Sequence, residues 1–260
     1  MAVRRHDKRA PRWGALFALA LAVSPLFACP QDHIDETAAV AFVYDGDTVR
    51  LADGRKVRFA GINTPEIDHK GGHSQPYAKA AQRRVDELIG KGRLSLRYDE
   101  ERKDRYGRLL AHPYLPDGRS LSTLLLDEGL ALAIAVPPNL WQNSCYFSHE
   151  QKAREAKAGI WSGNGLLKQS VELRKGDEGF ALLRGRVEKL AESRNSLWLE
   201  LEGEAALHIP RRELHYFDGL DLNRLVGKVI EARGWLTYHK SKWHMRVAHP
   251  AALAVRDESR

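Results

Sequence analysis

Cysteine is almost absent: the chain carries two, Cys29 and Cys145, in 260 residues. That excludes a disulfide-dense small scaffold and a four-cysteine zinc site held within one chain. Long apolar runs are missing too. The most apolar stretch, Trp13 to Ala28, is uncharged but only sixteen residues long, short of the ~20 that cross a bilayer as a helix. With 21 Gly and 11 Pro the chain is neither a collagen nor a low-complexity polymer. Its 43% hydrophobic and 29% charged residues suit a folded chain rather than a disordered one. No sign of charge dominates either. The net charge is +7, but Arg4, Arg5, Lys8, Arg9 and Arg12 face only Asp7 in the first 28 residues, which leaves 36 basic against 33 acidic residues. Overall charge is therefore weak ground for an anionic partner, and local motifs must carry the argument.

What is present begins with an address. A basic start, a short apolar run and Pro25 ahead of small residues read as an export signal over 1–28. A buried core helix is the plainer alternative. Ala28 before Cys29 suits signal-peptidase cleavage, although Leu26 is a poor third residue. Leu-Phe-Ala-Cys29 also resembles a lipoprotein processing site, with Phe27 bulkier than usual. The expected location is periplasmic or extracellular, without stable membrane insertion after signal removal unless Cys29 is lipidated. Two cysteines on one exported chain most simply pair, so a Cys29–Cys145 disulfide is expected. Lipidation would instead leave Cys145 a lone thiol.

Beyond the signal the chain divides into segments 37–165 and 175–256, joined through the loop Ser162-Gly-Asn-Gly165. In the first, Val40 to Tyr44, Val49 to Leu51, Lys56 to Ala60 and Leu94 to Tyr98 read as strands. Tyr77, Ala81, Val85 and Leu88 recur on one helical face that Gly90 ends. Ser120 caps a second helix, and Ser148 with Gln151 forms a capping box for a third. In the second segment, alternation around Leu197–Leu201, Val229–Leu236 and Trp243–Val247 gives several short strands, with a helical stretch near Leu220 to Val226. No repeat is visible.

Chemistry-bearing residues cluster in three places. Asp45-Gly-Asp-Thr48 sets two carboxylates two residues apart after a strand. Oxygen ligands on a turn suit a hard cation, though the motif alone also reads as a plain turn. Arg58-Phe-Ala-Gly-Ile-Asn-Thr-Pro-Glu66 places an arginine on a strand before a polar turn. Asp104-Arg-Tyr-Gly-Arg108 supplies a second arginine. Together they suit phosphodiester hydrolysis. A carboxylate can deprotonate water, guanidinium groups match phosphate oxygens bidentately, and a cation neutralises developing charge.

The order DGDT, R-x-x-G-I-N-T-P-E, D-R-Y-G-R and Gly-Ile-Trp161 after a charged helix resembles the staphylococcal nuclease (thermonuclease) family, over about half the chain. The resemblance implies an α+β, mostly β fold: a five-stranded OB-type barrel with three helices. It implies Ca2+-dependent endonucleolytic cleavage of DNA and RNA, single strands preferred, leaving 3′-phosphate ends. Arg58 and Arg108 look like the phosphate-binding arginines and Glu66 like the general base, a role debated in the family. Asp47 looks like the principal metal carboxylate, Thr64 like a backbone-carbonyl ligand, and Asp45 like an acid acting through water. Asn63 departs from the family's second metal aspartate, which predicts weaker Ca2+ binding or use of Mg2+ or Mn2+. The segment Ala135 to Cys145 lacks the family's tyrosine-bearing stretch. Trp141 or Tyr146 could replace its base contact, a core role being the alternative.

After Gly179 there is no catalytic constellation, and the histidines lack ligand spacing. From Ser170 onward 16 basic residues meet 14 acidic ones. The strand pattern resembles a second small OB-like barrel, in which Trp235, Lys240, Lys242 and Arg246 are the expected single-strand contacts, alongside Trp198 and His239. Packing tryptophans and a solvated charged face are the alternative. The expected whole is a monomeric exported nuclease with an accessory nucleic-acid-binding module. A catalytically weak binder on a nuclease scaffold is the alternative.

Overall fold

Residues 29–69, 71–163 and 165–256 are described in a computed structural model, so the expected export signal over 1–28 lies outside the described residues. The first segment contains β1 (Glu36–Val43), β2 (Thr48–Leu51), β3 (Lys56–Phe59), β4 (Ile62–Asn63), α1 (Ala78–Ile89), β5 (Arg93–Lys103), β6 (Leu109–Tyr114), α2 (Leu121–Asp127), β7 (Leu132–Ala133) and α3 (Asn143–Glu155). β1, β2, β3, β6 and β5 close in that order into a barrel. Its pairs are antiparallel except β3 with β6. The short β4 pairs with β7 outside it.

Alternation explains the barrel core. Val49, Leu51, Val57, Leu94 and Leu96 point inward and are sealed from water with Ala81 and Val85 of α1, Leu121 and Leu125 of α2, and Tyr146 of α3. α1 buries Ala81 and Val85 of the face read from the sequence, together with Ala78 and Ile89, and ends at Gly90, whereas Tyr77 stands exposed at its N-cap and Leu88 is half-buried. Ser120 caps α2 by accepting from the Thr123 N–H at 3.3 Å. The third helix corrects the sequence reading. It starts at Asn143, with Gln142 at its N-cap, so Ser148 and Gln151 lie inside it rather than in a capping box. Tertiary constraint sets that earlier start: Tyr146 is fully buried, and Cys145 forms a disulfide with Cys29. The bond uses the sulfur that a lipid anchor would need.

The second segment holds β8 (Leu167–Gln169), β9 (Gly179–Glu192), β10 (Ser196–Leu201), β11 (Ala205–Pro210), β12 (Val229–His239), β13 (Lys242–Arg246) and β14 (Leu253–Arg256). β9, β10, β11, β13 and β12 follow one another, and β12 pairs back onto β9. The single parallel pair inside this ring is β11 with β13. This is the wiring of the first barrel, so the two rings share an OB-type topology without a visible sequence repeat. Leu183, Leu199, Leu207, Ile230 and Met245 fill it, and Trp243 is buried there. Among the described residues no helix is long and apolar enough to cross a membrane.

The barrels meet along a small shared core of Leu132, Ile160 and Leu182. Ion pairs flank it. Arg154 of α3 meets buried Glu231 of β12 in a two-pronged contact at 2.6 and 2.8 Å, and Arg184 and Arg256 approach the same carboxylate. Arg233 reaches the other way, donating to the Glu150 carboxylate at 2.7 Å and the Ala133 carbonyl at 2.8 Å.

Burial alone would raise the pKa of Glu231, but hydrogen bonds from Arg154 and Arg256 outweigh it and hold the group at about 2, against an ordinary 4.5. A folded-state pKa below the unfolded one stabilises above the unfolded value and is lost as pH falls towards the folded one. That drop corresponds to about 3 kcal/mol, complete above pH ~5. Thermal unfolding of the parent and Glu231→Gln from pH 6 to pH 2.5 should show a stability gap that narrows steadily with acid. Separately, Cys145→Ser opens a disulfide that closes 116 residues of sequence. It should lower unfolding stability by about 2–5 kcal/mol in denaturant titration.

Candidate active site

The site forms where the loop after β1 meets the end of β3. Gly46 makes that approach feasible, because a Cβ there would lie 2.6 Å from Ala81 Cβ and 2.7 Å from Thr64 Cγ2. The Asp45-Gly-Asp turn closes on itself, with the Asp47 N–H donating to Asp45 Oδ1 at 3.0 Å. Asp47 is then drawn inward to 3% exposure. Its Oδ2 accepts from the Thr64 N–H at 2.7 Å and the Thr64 hydroxyl at 3.0 Å, and its Oδ1 from the Thr48 hydroxyl at 3.0 Å.

Arg58 completes the centre. It leaves β3 opposite Thr48 and brings Nη1 to 2.7 Å from Asp47 Oδ2. The same nitrogen donates to the Phe59 and Ile62 carbonyls at 3.2 and 3.1 Å, while Nη2 donates to Asn63 Oδ1 at 2.9 Å. A buried guanidinium held by four acceptors has one orientation. It is tolerable in the interior because its charge is paired with Asp47.

Glu66 stands at the exposed rim two residues after Thr64. Its carboxyl has lost enough surrounding water that its pKa is raised, and the Asp47 charge adds to that. Arg58, Arg108 and His69 pull the other way. Glu66 therefore feels the charges of both arginines and of Asp47. Gln75 grips the backbone of Glu66 from both sides: its Oε1 accepts from the Glu66 N–H at 2.9 Å and its own N–H donates to the Glu66 carbonyl at 3.0 Å. Arg108 arrives from the β5–β6 turn. There Asp104 accepts from Arg108 Nε at 2.7 Å and from its N–H at 3.0 Å, which aims the half-exposed guanidinium.

The donor set for a cation is all oxygen: the carboxylates of Asp45 and Asp47, the Thr64 carbonyl and Asn63 Oδ1. Burial, with the Asp47 charge second, pushes the Asp45 carboxyl up to about 7. A buried and a half-buried carboxylate beside one arginine are short of positive charge, so the residues fit a hard divalent ion. Asn63 is brought to the site, but its oxygen is engaged by Arg58 and its Nδ2 donates to the Thr64 carbonyl at 3.3 Å.

A family model described as staphylococcal nuclease homologue matches residues 56–163. The chain is 36% identical over 129 residues to the thermonuclease of Staphylococcus intermedius, spanning 48% of this chain and 76% of that protein. The chain belongs to the staphylococcal nuclease family. Two Bacillus subtilis relatives, the SPbeta prophage-derived endonuclease YokF and the endonuclease YncB, are each 40% identical over 128 residues and 47% of this chain. The chain spans about half the length of these relatives, 43% of the first and 60% of the second.

Not every expected residue of this nuclease-family chain gathers at the site. Tyr146 is fully buried, its hydroxyl 2.9 Å from His112 Nδ1. Trp141 packs between His112 and Arg97. Tyr146 takes the core alternative, whereas Trp141 stays half-buried on that packing. In the second barrel the expected contacts divide. Lys240 and Lys242 sit at the β12–β13 turn. Arg246 is tied to Glu213, and half-exposed Trp235 lies against Phe180 at a ring distance of 5.0 Å. Gln75, Thr48 and Asp104 were not read as site residues from the sequence. Thr48 and Asp104 had local signals, through their places in the DGDT and D-R-Y-G-R turns, and Gln75 had none.

Gly46→Ala tests the close approach. With neighbours that cannot swing aside, the substitution should lower the unfolding free energy by about 1–3 kcal/mol. Displacement of Thr64 should reduce turnover more than the lost stability alone explains, read by comparing activity well below the melting range with the parent's.

Proposed function

We propose that the chain is an exported endonuclease that hydrolyses single-stranded DNA or RNA with the help of a hard divalent cation, Ca2+ by first expectation. The observation that carries this reading is the buried Asp47–Arg58 ion pair with Thr64 held on it, at the start of the loop that presents Glu66. The oxidised Cys29–Cys145 pair supports passage through an oxidising compartment, and the basic, apolar N-terminal sequence supports export.

The residues divide the work simply. Glu66 takes a proton from the attacking water, and its raised pKa makes it a better acceptor than an ordinary surface carboxylate. Arg58, fixed in direction, and Arg108, aimed by Asp104, bind the non-bridging phosphate oxygens as negative charge grows on them. Water adds to phosphorus, the bond to the 5′ oxygen breaks with that oxygen taking a proton from solvent water, and the phosphate stays on the 3′ side. A divalent ion held by Asp47, Asp45 and the Thr64 carbonyl would supply further neutralising charge. The second barrel serves as an accessory single-strand surface. Its OB-type ring and the exposed Trp235 and lysine turn are the support for that role.

One observation favours a second reading, a nucleic-acid binder with weak or no activity: Asn63 leaves the centre with one carboxylate fewer than the family pattern. A labelled single strand and its duplex, incubated with Ca2+ and then with excess chelator, separate the two. The nuclease reading expects cutting that chelator abolishes and that favours the single strand. Retained binding without cutting in Ca2+, Mg2+ or Mn2+ supports the second. Asn63→Asp restores the carboxylate and should lower the Ca2+ concentration for half-maximal cleavage by about tenfold. An unchanged midpoint would separate Asn63 from the cation site.

A further inference from the structure

An open cleft of ≈ 380 Å³ lies where the two barrels meet, beside the candidate active site. One wall is built by Pro65, Pro76 and Tyr77 of the nuclease domain. The other is built by Leu166 and Phe180, which lie beyond the family match ending at residue 163. The cleft is therefore a feature of this two-barrel chain.

Its place next to the reacting group is fixed by covalent bonds and hydrogen bonds. Pro65 directly precedes Glu66, and Gln75, which also lines the cleft, holds the Glu66 backbone by two hydrogen bonds of 2.9 and 3.0 Å. Tyr77 is 41% exposed and adopts a left-handed backbone (φ 66°), with its hydroxyl 2.9 Å from Ser162 Oγ at the end of the nuclease domain. A non-glycine residue in that conformation is held there by its surroundings. Phe180 is braced from behind by Trp235, edge to face at 5.0 Å.

The lining selects a ligand class. The apolar and aromatic walls suit a flat ring, and the volume falls in the range of small-molecule sites. Lys168 and Asp177 neutralise each other at 2.6 Å, which leaves Glu178 as the net charge. A net negative lining repels a phosphate and accepts hydrogen bonds from exocyclic amino groups. We propose that this cleft is a nucleobase subsite. It takes the base of the nucleotide flanking the scissile phosphate, with Tyr77 and Phe180 as its aromatic walls and Glu178 as an acceptor. The proposal rests on the nuclease reading and deepens it: a base paired in a duplex cannot enter, so the cleft itself favours single strands.

The test scans a single abasic nucleotide along a labelled single strand, using the full-length mature protein, Phe180→Ala, Phe180→Tyr and Leu166→Trp. The last fills the cleft without removing an aromatic wall, and it decides the matter if Phe180→Ala does not fold. Binding is measured in chelator by fluorescence anisotropy, and cleavage position by position in Ca2+. The parent should lose about tenfold or more in kcat/KM, and in affinity, when the abasic nucleotide occupies one flanking position. Phe180→Ala and Leu166→Trp should bind and cut the intact strand with a similar loss and ignore the abasic nucleotide, whereas Phe180→Tyr should keep the parent's discrimination. Equal handling of intact and abasic strands by the parent at every flanking position would overturn the subsite, as would full discrimination in Phe180→Ala or Leu166→Trp. If no strand is cut, the nuclease reading fails by itself and the anisotropy comparison still decides the subsite.

Discussion

The ion pair between Arg58 and Asp47 is the contact on which the rest of the first barrel's chemistry depends. Both groups are buried, and each gives the other the opposite charge that an ionic group needs in the interior. Asp47 draws Thr64 inward through two hydrogen bonds, and Arg58 draws in Asn63 and the turn carbonyls of Phe59 and Ile62. The loop that carries Glu66 begins at Thr64. A single charged contact therefore determines where the base, the cation donors and one arginine stand relative to each other. It also makes Arg58 a structural residue as well as a phosphate ligand. Truncating it would leave a buried carboxylate unpaired, at a cost of about 3–5 kcal/mol, so loss of activity there mixes chemistry with stability.

Around that centre the fold supplies rigidity from further out. Glycine at position 46 lets the Asp45–Thr48 turn lie against α1 and Thr64. Behind the β3–β4 turn, Gly61 (φ 75°) packs where a Cβ would strike the Tyr146 ring at 2.8 Å, and Tyr146 is linked through His112 to Asp99. The second barrel is fixed against this frame by Glu231 and Glu150 with their arginine partners. Its contribution to the catalytic neighbourhood is a wall rather than a reactive group.

Much of the candidate site was legible because its parts are local. DGDT, the R-x-x-G-I-N-T-P-E run and D-R-Y-G-R each confine their functional residues to a few positions, and their types already suit phosphate chemistry. The five-stranded nuclease barrel followed from alternation and resemblance together. What stayed hidden was set by distant contacts. β6, Leu-Leu-Ala-His-Pro-Tyr114, is buried along most of its length and so shows no alternation. The start of α3 is governed by Tyr146 and the disulfide rather than by a capping box. The closure of β12 onto β9 joins residues about fifty positions apart, which no local pattern encodes. The engagement of Asn63 by Arg58 and the grip of Gln75 on Glu66 likewise depend on how turns pack, not on their spelling.

Glu66 is assigned the proton transfer in a centre built on Asp47 and Arg58. Its most direct test is single-turnover cleavage by Glu66→Gln, an isosteric change at the exposed rim that leaves the buried ion pair intact, with strand affinity measured in parallel. The account expects binding within about threefold of the parent and a chemical rate lower by about a hundredfold or more. A variant that cuts at the parent's rate would contradict it and assign the base to another group.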